Sequence, residues 1–179
     1  MPSVWSCPNP LLFGRGVSGA VGEKLKEFGC KKVLVVFDQG VKSAGIASKI
    51  TGHINAAGIN TACYDSVLAD PPDYTINEAG ALGVAEKVDG VVAVGGGSAM
   101  DTGKGAALLL TNPPPIGRYY ARPDSPPPEY IKSLKPVVVI PTTSGTGSEC
   151  TPGGVITDTE NNCKRVIIVP TTLVLLTPN

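Results

Sequence analysis

The stretch Val88-Asp89-Gly90-Val91-Val92-Ala93-Val94-Gly95-Gly96-Gly97-Ser98-Ala99-Met100-Asp101-Thr102-Gly103-Lys104 decides the fold. Residues 88–94 read as a strand, and three glycines follow it at once. A helix is expected from about Ala99 to Leu110. A strand that turns through glycine into a helix is half of a strand–helix–strand unit, and such units build parallel sheets.

Working outward, the same order recurs on both sides. Val33 to Phe37 is an unbroken apolar run, which needs cover on both faces, as in a parallel sheet between helices. Asp38-Gln39-Gly40 ends it. Residues 41–57 read as a helix, with Val41, Ile46, Ile50 and Ile54 on one side and Gly58 as its close. Residues 59–64 read as a strand and residues 74–87 as a helix rich in small side chains. Toward the N-terminus, residues 11–16 read as a short strand with a glycine turn. Val17, Val21, Leu25 and Phe28 then recur at helical spacing. Toward the C-terminus, Pro136 to Pro141 is another buried strand. Val155 to Thr157 and Arg165 to Val169 flank a Glu160-Asn161-Asn162 turn as a hairpin. Leu173 to Leu176 is a last strand. The pattern predicts a Rossmann-like α/β fold: a doubly wound, mostly parallel sheet with right-handed crossovers and a small hairpin. Its 179 residues fit one domain, 1–179. A proline-rich loop at about 112–130 contains seven of the 17 prolines. It is expected to be a surface excursion, with recognition by a proline-binding partner as the alternative.

The composition excludes several classes. Fifteen basic and fifteen acidic residues cancel, and 42% of the chain is hydrophobic. A disordered tail would be more charged and less apolar. No basic run points to nucleic acid or acidic lipid. No window approaches the ~20 apolar residues of a membrane span, and residues 1–5 lack the pattern of a secretory signal. Five scattered cysteines without a C-x-x-C pair fit small buried thiols in a reducing cytoplasm. His53 is the one histidine, so no imidazole cluster can form within one copy of the chain.

Two loops have the composition of binding sites, and each follows a buried strand. Ligands of open α/β sheets bind at that carboxyl edge. In the first loop, Gly95, Gly96 and Gly97 permit close approach. The helix beyond offers unpaired N–H groups and its positive dipole end to a phosphate. Ser98 adds a hydroxyl, and Asp101 in the first turn can bond loop amides. A plain tight turn would use the same glycines. The string is neither G-x-G-x-x-G nor a P-loop, because Lys104 is misplaced for one. In the second loop, Thr142, Thr143, Ser144 and Thr146 with two glycines can wrap a ribose or phosphate, or satisfy their own backbone. Asp38, at the end of a strand, can accept ribose hydroxyls and repel a 2′-phosphate, or cap the next helix. Lys164 can reach a ribose or phosphate, or stay solvated.

Gly95-Gly96-Gly97-Ser98-x-x-Asp101-x-x-Lys104 together with Pro141-Thr142-Thr143-Ser144-Gly145-Thr146-Gly147-Ser148-Glu149 resembles the iron-containing (group III) alcohol dehydrogenases. Phe13-Gly14-x-Gly16 and Val35-Val36-Phe37-Asp38-x-Gly40 resemble that family's opening. The resemblance runs from about residue 11 onward. It implies the cofactor-binding half of an NAD-dependent alcohol dehydrogenase or aldehyde reductase. NAD is expected before NADP, and a small alcohol or aldehyde is the expected substrate of the full enzyme. By motif match Gly97 and Ser98 bind pyrophosphate. Thr142, Thr143 and Thr146 line the adenine and ribose side, and Lys164 approaches the nicotinamide ribose. Asp70-Pro71-Pro72-Asp73-Tyr74 departs from the family's Pro-Asn-Pro-Thr. The family places divalent iron or zinc on one Asp and three His of a helical second domain. No such motif stands here, so no metal ligands or catalytic residues are assigned. This chain by itself is expected to be inactive, and its uncovered face is expected to favour a homo-oligomer. Glycerol dehydrogenases and dehydroquinate synthases share the architecture. A stand-alone nucleotide-binding or regulatory module is the non-enzymatic alternative.

Overall fold

The computed structural model describes residues 9–121, 134–169 and 173–176. Cys7 and the proline-rich residues 122–130 lie outside them. In chain order the elements are β1 (Leu11–Phe13), α1 (Val21–Glu27), β2 (Lys32–Val36), α2 (Gln39–Ser43), α3 (Ile46–Ala56), β3 (Asn60–Tyr64), α4 (Asp73–Ala85), β4 (Gly90–Gly95), α5 (Gly97–Leu109), β5 (Val137–Pro141), β6 (Gly153–Asp158), β7 (Cys163–Ile168) and β8 (Leu173–Leu176). Six strands form one sheet in the order β1-β8-β5-β4-β2-β3, with every neighbouring pair parallel. The parallel α/β sheet expected from the strand–helix repeat is therefore present.

The apolar runs account for its two-sided cover. Successive strand residues point to opposite faces. Val33, Val35, Val92, Val94, Val138 and Ile140 meet α1 and α3 through Leu25, Ile50 and Ile54. Leu34, Val36, Val91, Ala93, Val137 and Val139 meet α4 and α5 through Ala79, Met100, Ala106 and Ala107. Val33 to Val36 are wholly buried. Each such side chain contributes roughly 1.5–3 kcal/mol relative to exposure.

The hairpin β6–β7 forms a third layer outside α5. Ile156 and Ile167 pack there with Ile76, Leu108, Ile116 and Tyr119. With the sheet on one side and the hairpin on the other, α5 is buried from Ala99 to Leu109. A helix covered all round needs small residues where neighbours approach. A Cβ on Gly103 would lie 2.6 Å from Ala93 Cβ, and one on Gly105 would lie 2.5 Å from Ile76 Cγ2.

Several local expectations change. The single helix over 41–57 is two, because Gly45 is left-handed at φ 73° and its N–H closes on Lys42 O. The helix expected from Val17 opens with a 3-10 turn, Val17–Ala20. The start of the proline-rich stretch is not all surface, since Ile116 and Tyr119 are buried. Among the described cysteines only Cys30 is buried; Cys63 and Cys150 are exposed and Cys163 is half-buried. Burial pushes the Cys30 thiol up to about 11.

One turn is closed by a carboxylate. The Asp158 carboxylate accepts the Asn161 N–H (3.1 Å), Asn161 Nδ2 (2.9 Å) and Arg165 Nε (3.3 Å), closing the hairpin. Asn161 first, then Arg165, hold its pKa below the ordinary 3.8. Its stabilisation is full above that value and drains away as pH falls through the lowered one. Asp158→Ala is expected to lower Tm at neutral pH. The difference from wild type should shrink in thermal melts taken progressively below pH 4, the ordinary range of a carboxyl group.

Candidate functional site

β2 and β4 are neighbours in the sheet, but their onward connections leave in opposite directions. α2 and α3 carry the chain from β2 to β3 on one face. α5 carries it from β4 to β5 on the other. Side chains at the carboxyl ends then diverge and leave a crevice. A cleft of about 710 Å3 lies there, and four strand ends in a row line it. Asp38 to Val41 follow β2, Val67 to Ala69 follow β3, Gly96 to Ala99 follow β4, and Thr142 and Thr143 follow β5.

The glycine loop forms the floor. Gly95 adopts φ 147°, and a Cβ there would lie 2.7 Å from Ala99 Cβ. Its carbonyl accepts the Thr142 N–H at 3.0 Å, tying the two loops together at their start. The first amide to bond back along α5 is Met100, to Gly96 O at 3.1 Å. The N–H groups of Gly97, Ser98 and Ala99 precede that ladder, and no side chain caps the helix start. Three donors and the positive dipole end therefore face the cleft, an arrangement that binds anions.

Asp38 caps the next helix, one of the two readings offered for it. Its Oδ1 accepts the Val41 N–H at 2.8 Å and caps α2. Its Oδ2 takes no hydrogen bond among the described residues and lies on the Gly95 side of the cleft. A half-buried carboxylate with one oxygen unoccupied can accept paired hydroxyls.

Thr142, Thr143 and Thr146 are exposed. Thr143 Oγ1 lies 3.1 Å from where a Gly96 Cβ would stand, and Thr146 Cβ lies 3.4 Å from that of Gly97. Thr146 donates to Glu149 Oε2 at 3.1 Å. The structure thus brings Asp38, Gly95, Gly96, Gly97, Ser98, Thr142, Thr143 and Thr146 together.

It places Asp101 and Lys164 elsewhere. Both Asp101 oxygens are engaged behind the helix, by Ser148 Oγ at 2.6 Å and the Val155 N–H at 3.0 Å. Burial pushes its pKa up, against those two donors and Lys104. Lys164 is half-exposed and pairs with Asp70 Oδ1 at 2.5 Å and Thr157 Oγ1 at 2.9 Å. Asp70 directly follows Ala69 on the cleft rim.

The apolar wall of Val67, Leu68 and Ala69 escaped the sequence reading. Its signal was available, because these residues follow a strand at the same sheet edge. Leu68 is a large apolar side chain left 46% exposed among the described residues. Tyr119 packs beneath the hairpin, and Tyr120 donates to Asp73 Oδ2 at 3.4 Å. Among the described residues no group of three or more His, Cys, Asp or Glu could hold a metal ion, and no helix is long and apolar enough to cross a membrane.

Comparison with known proteins adds a second line of observation. A family model described as iron-containing alcohol dehydrogenase matches residues 8–177. A choline dehydrogenase of Bacillus subtilis is 37% identical over 157 residues, covering 88% of this chain and 39% of the relative. An NAD-dependent methanol dehydrogenase of Bacillus methanolicus is 35% identical over 161 residues, covering 90% and 41%. The crystal structure of a 1,3-propanediol oxidoreductase matches with a TM-score of 0.84 at 32% identity, covering 94% of this chain and 44% of that one. The chain spans about two-fifths of the length of these curated relatives.

Proposed function

This chain belongs to the iron-containing alcohol dehydrogenase family, and on that premise we propose that it forms the NAD-binding part of an alcohol dehydrogenase or aldehyde reductase. The observation that supports this most is the convergence of an α-helix N-terminus, an unoccupied carboxylate oxygen and a hydroxyl loop in one cleft.

The residues present fit a dinucleotide. Gly96 and Gly97 leave the space beside α5 free of side chain. The pyrophosphate is held by the Gly97, Ser98 and Ala99 amides and the Ser98 hydroxyl. Asp38 Oδ2 takes ribose hydroxyls and disfavours a 2′-phosphate by charge. Thr142, Thr143 and Thr146 face the ribose and adenine side, with Val67 to Ala69 as its apolar wall. The ion pair of Lys164 with Asp70 must open before Lys164 meets a ribose. Asp101 acts from behind the helix.

When bound, NAD supplies the hydride acceptor for the alcohol. Among the described residues no group of three or more His, Cys, Asp or Glu stands together to hold the family's divalent metal. The alcohol or aldehyde substrate, a cytoplasmic location and assembly into a homo-oligomer belong to this proposal as well.

Calorimetric titration with NAD and NADP tests it, on wild type and Asp38→Asn. Asparagine still caps α2, so the substitution isolates charge. Wild type is expected to prefer NAD by about tenfold or more, a difference of ~1.4 kcal/mol. Asp38→Asn should narrow that gap. A protein that binds neither nucleotide refutes the reading, and a preference for NADP refutes the role of Asp38.

A further inference from the structure

Lys104 is the largest fully buried side chain described. Its Nζ donates to Ser148 O (2.6 Å), Gly153 O (2.6 Å), Thr151 O (3.1 Å) and Ser148 Oγ (3.1 Å). An ammonium has three hydrogens, and here they are shared among four oxygens. Ser148 Oγ donates in turn to Asp101 Oδ1 at 2.6 Å. Both ionisable groups lie one turn apart on α5, and the hydroxyl between them belongs to the segment after β5. Burying two ions costs several kcal/mol each in real proteins, so this arrangement is a poor device for stability alone. Backbone accounting explains what it does. Residues 148–150 form a short 3-10 turn against α5; Lys104 supplies a donor to the carbonyls of Ser148, Thr151 and Gly153, while Asn9 Nδ2 supplies Glu149 O and shares Thr151 O.

We propose that Lys104, Ser148 and Asp101 are positioning residues that seat the 142–147 loop opposite the N-terminus of α5. The inference rests on the cofactor cleft proposed above. The loop is fixed at its start by the Gly95↔Pro141 register and by Thr142 N–H to Gly95 O. From Thr142 to Thr146 it is exposed, and Gly145 (φ 91°) and Gly147 (φ 72°) make its turns. Its internal ties are few: Thr146 Oγ1 to Glu149, a long Ser148 N–H to Thr146 Oγ1 contact at 3.4 Å, and Cys150 N–H to Gly147 O. Its far end is fixed at Ser148 by the relay. One rigid helix therefore sets both walls of the cleft. Its first turn presents amides to the ligand, and the turn behind holds the loop that faces them. The spacing between them is about 9 Å from Ser98 to Lys104, at 1.5 Å per residue.

Ser148→Ala removes the shared hydroxyl with almost no change of volume, and Lys104→Met removes the ammonium. Two measurements on each decide the matter. In ligand-free protein, amide hydrogen exchange at Cys150, Thr151 and Val155 is expected to quicken by about tenfold or more, with β4 and β5 unchanged, as local opening would produce. In titrations, ADP affinity is expected to fall about tenfold, the scale of one lost charge-assisted hydrogen bond. Affinity for inorganic pyrophosphate, which needs only the α5 N-terminus, should stay within about twofold. Unchanged exchange overturns the proposal, and so does an equal fall in ADP and pyrophosphate affinity. If Lys104→Met does not fold, Ser148→Ala decides by itself. If wild type binds no nucleotide, the functional reading fails, and the exchange result still settles whether the relay seats the loop.

Discussion

Gly97→Asp is expected to cut NAD affinity by about a hundredfold or more, a loss of ~2.7 kcal/mol, without lowering Tm. The protein has room for the side chain. The nearest neighbour of a Cβ at Gly97 is Thr146, at an ordinary 3.4 Å. Gly97 has no left-handed backbone, and an acidic residue in a first helical turn is favourable for the helix. Stability is therefore preserved or slightly raised. The carboxylate would stand among the amides proposed to hold a pyrophosphate and would occupy them with its own charge. Gly97→Ala should fall between the two, since it removes space and adds no charge. Titration with NAD beside a thermal melt checks both. Wild-type affinity in Gly97→Asp would mean that the anion site lies elsewhere.

The second large effect is on folding, and it reverses the usual sign of a glycine-to-alanine change in a helix. In an exposed helix interior that change stabilises by up to about 1 kcal/mol. Gly52 in α3 is such a position, with nothing within 4 Å of its would-be Cβ, so Gly52→Ala should raise Tm. Gly103→Ala should lower it by the equivalent of about 2–3 kcal/mol, the range of an overpacked core. The new methyl would meet Ala93 Cβ at 2.6 Å. Ala93 cannot rotate aside, because its Cβ is fixed to the backbone of β4. The only relief is to move α5 off the sheet, which disturbs the cleft floor too. Gly103→Val should leave little folded protein, since total stabilities are only about 5–15 kcal/mol. Chemical denaturation of Gly52→Ala and Gly103→Ala measures the two signs side by side. Equal shifts would contradict the close packing of α5 on β4.

What the sequence made legible follows from the range of the signal. The apolar runs of β2, β4 and β5 and the glycines after β4 are local patterns, and the sheet and the cleft at its carboxyl edge could be read from them. Asp38 was legible as a residue with two uses; the cap on α2 is present, and its second oxygen carries no hydrogen bond among the described residues. The direction of Asp101 was not. Its position in the first turns of α5 is local, but its partners, Ser148 and Val155, are brought there only when the hairpin covers the helix. Lys104 is the same case: a lysine in a string of glycines and alanines gives no sign that carbonyls of residues 148–153 will surround it. The break at Gly45 was hidden because apolar spacing continues across it, from Val41 to Ile46 and Ile50. The wall of Val67 to Ala69 was passed over because no glycine or hydroxyl marks it.

The pairing of β1 with β8 has a consequence for biosynthesis. Leu11 sits opposite Val174, so the first of the described strands finds its partner in the last of them. At synthesis rates of about 5–20 residues per second, on the order of ten seconds separates their emergence from the ribosome. During that interval β2, β3, β4 and β5 can assemble with their helices, because each already has at least one neighbour to pair with. β1 cannot join them, since β8 stands between it and β5. Leu11 and Phe13, exposed even in the finished structure at 43% and 61%, remain an apolar flag on the nascent chain for the whole of that wait.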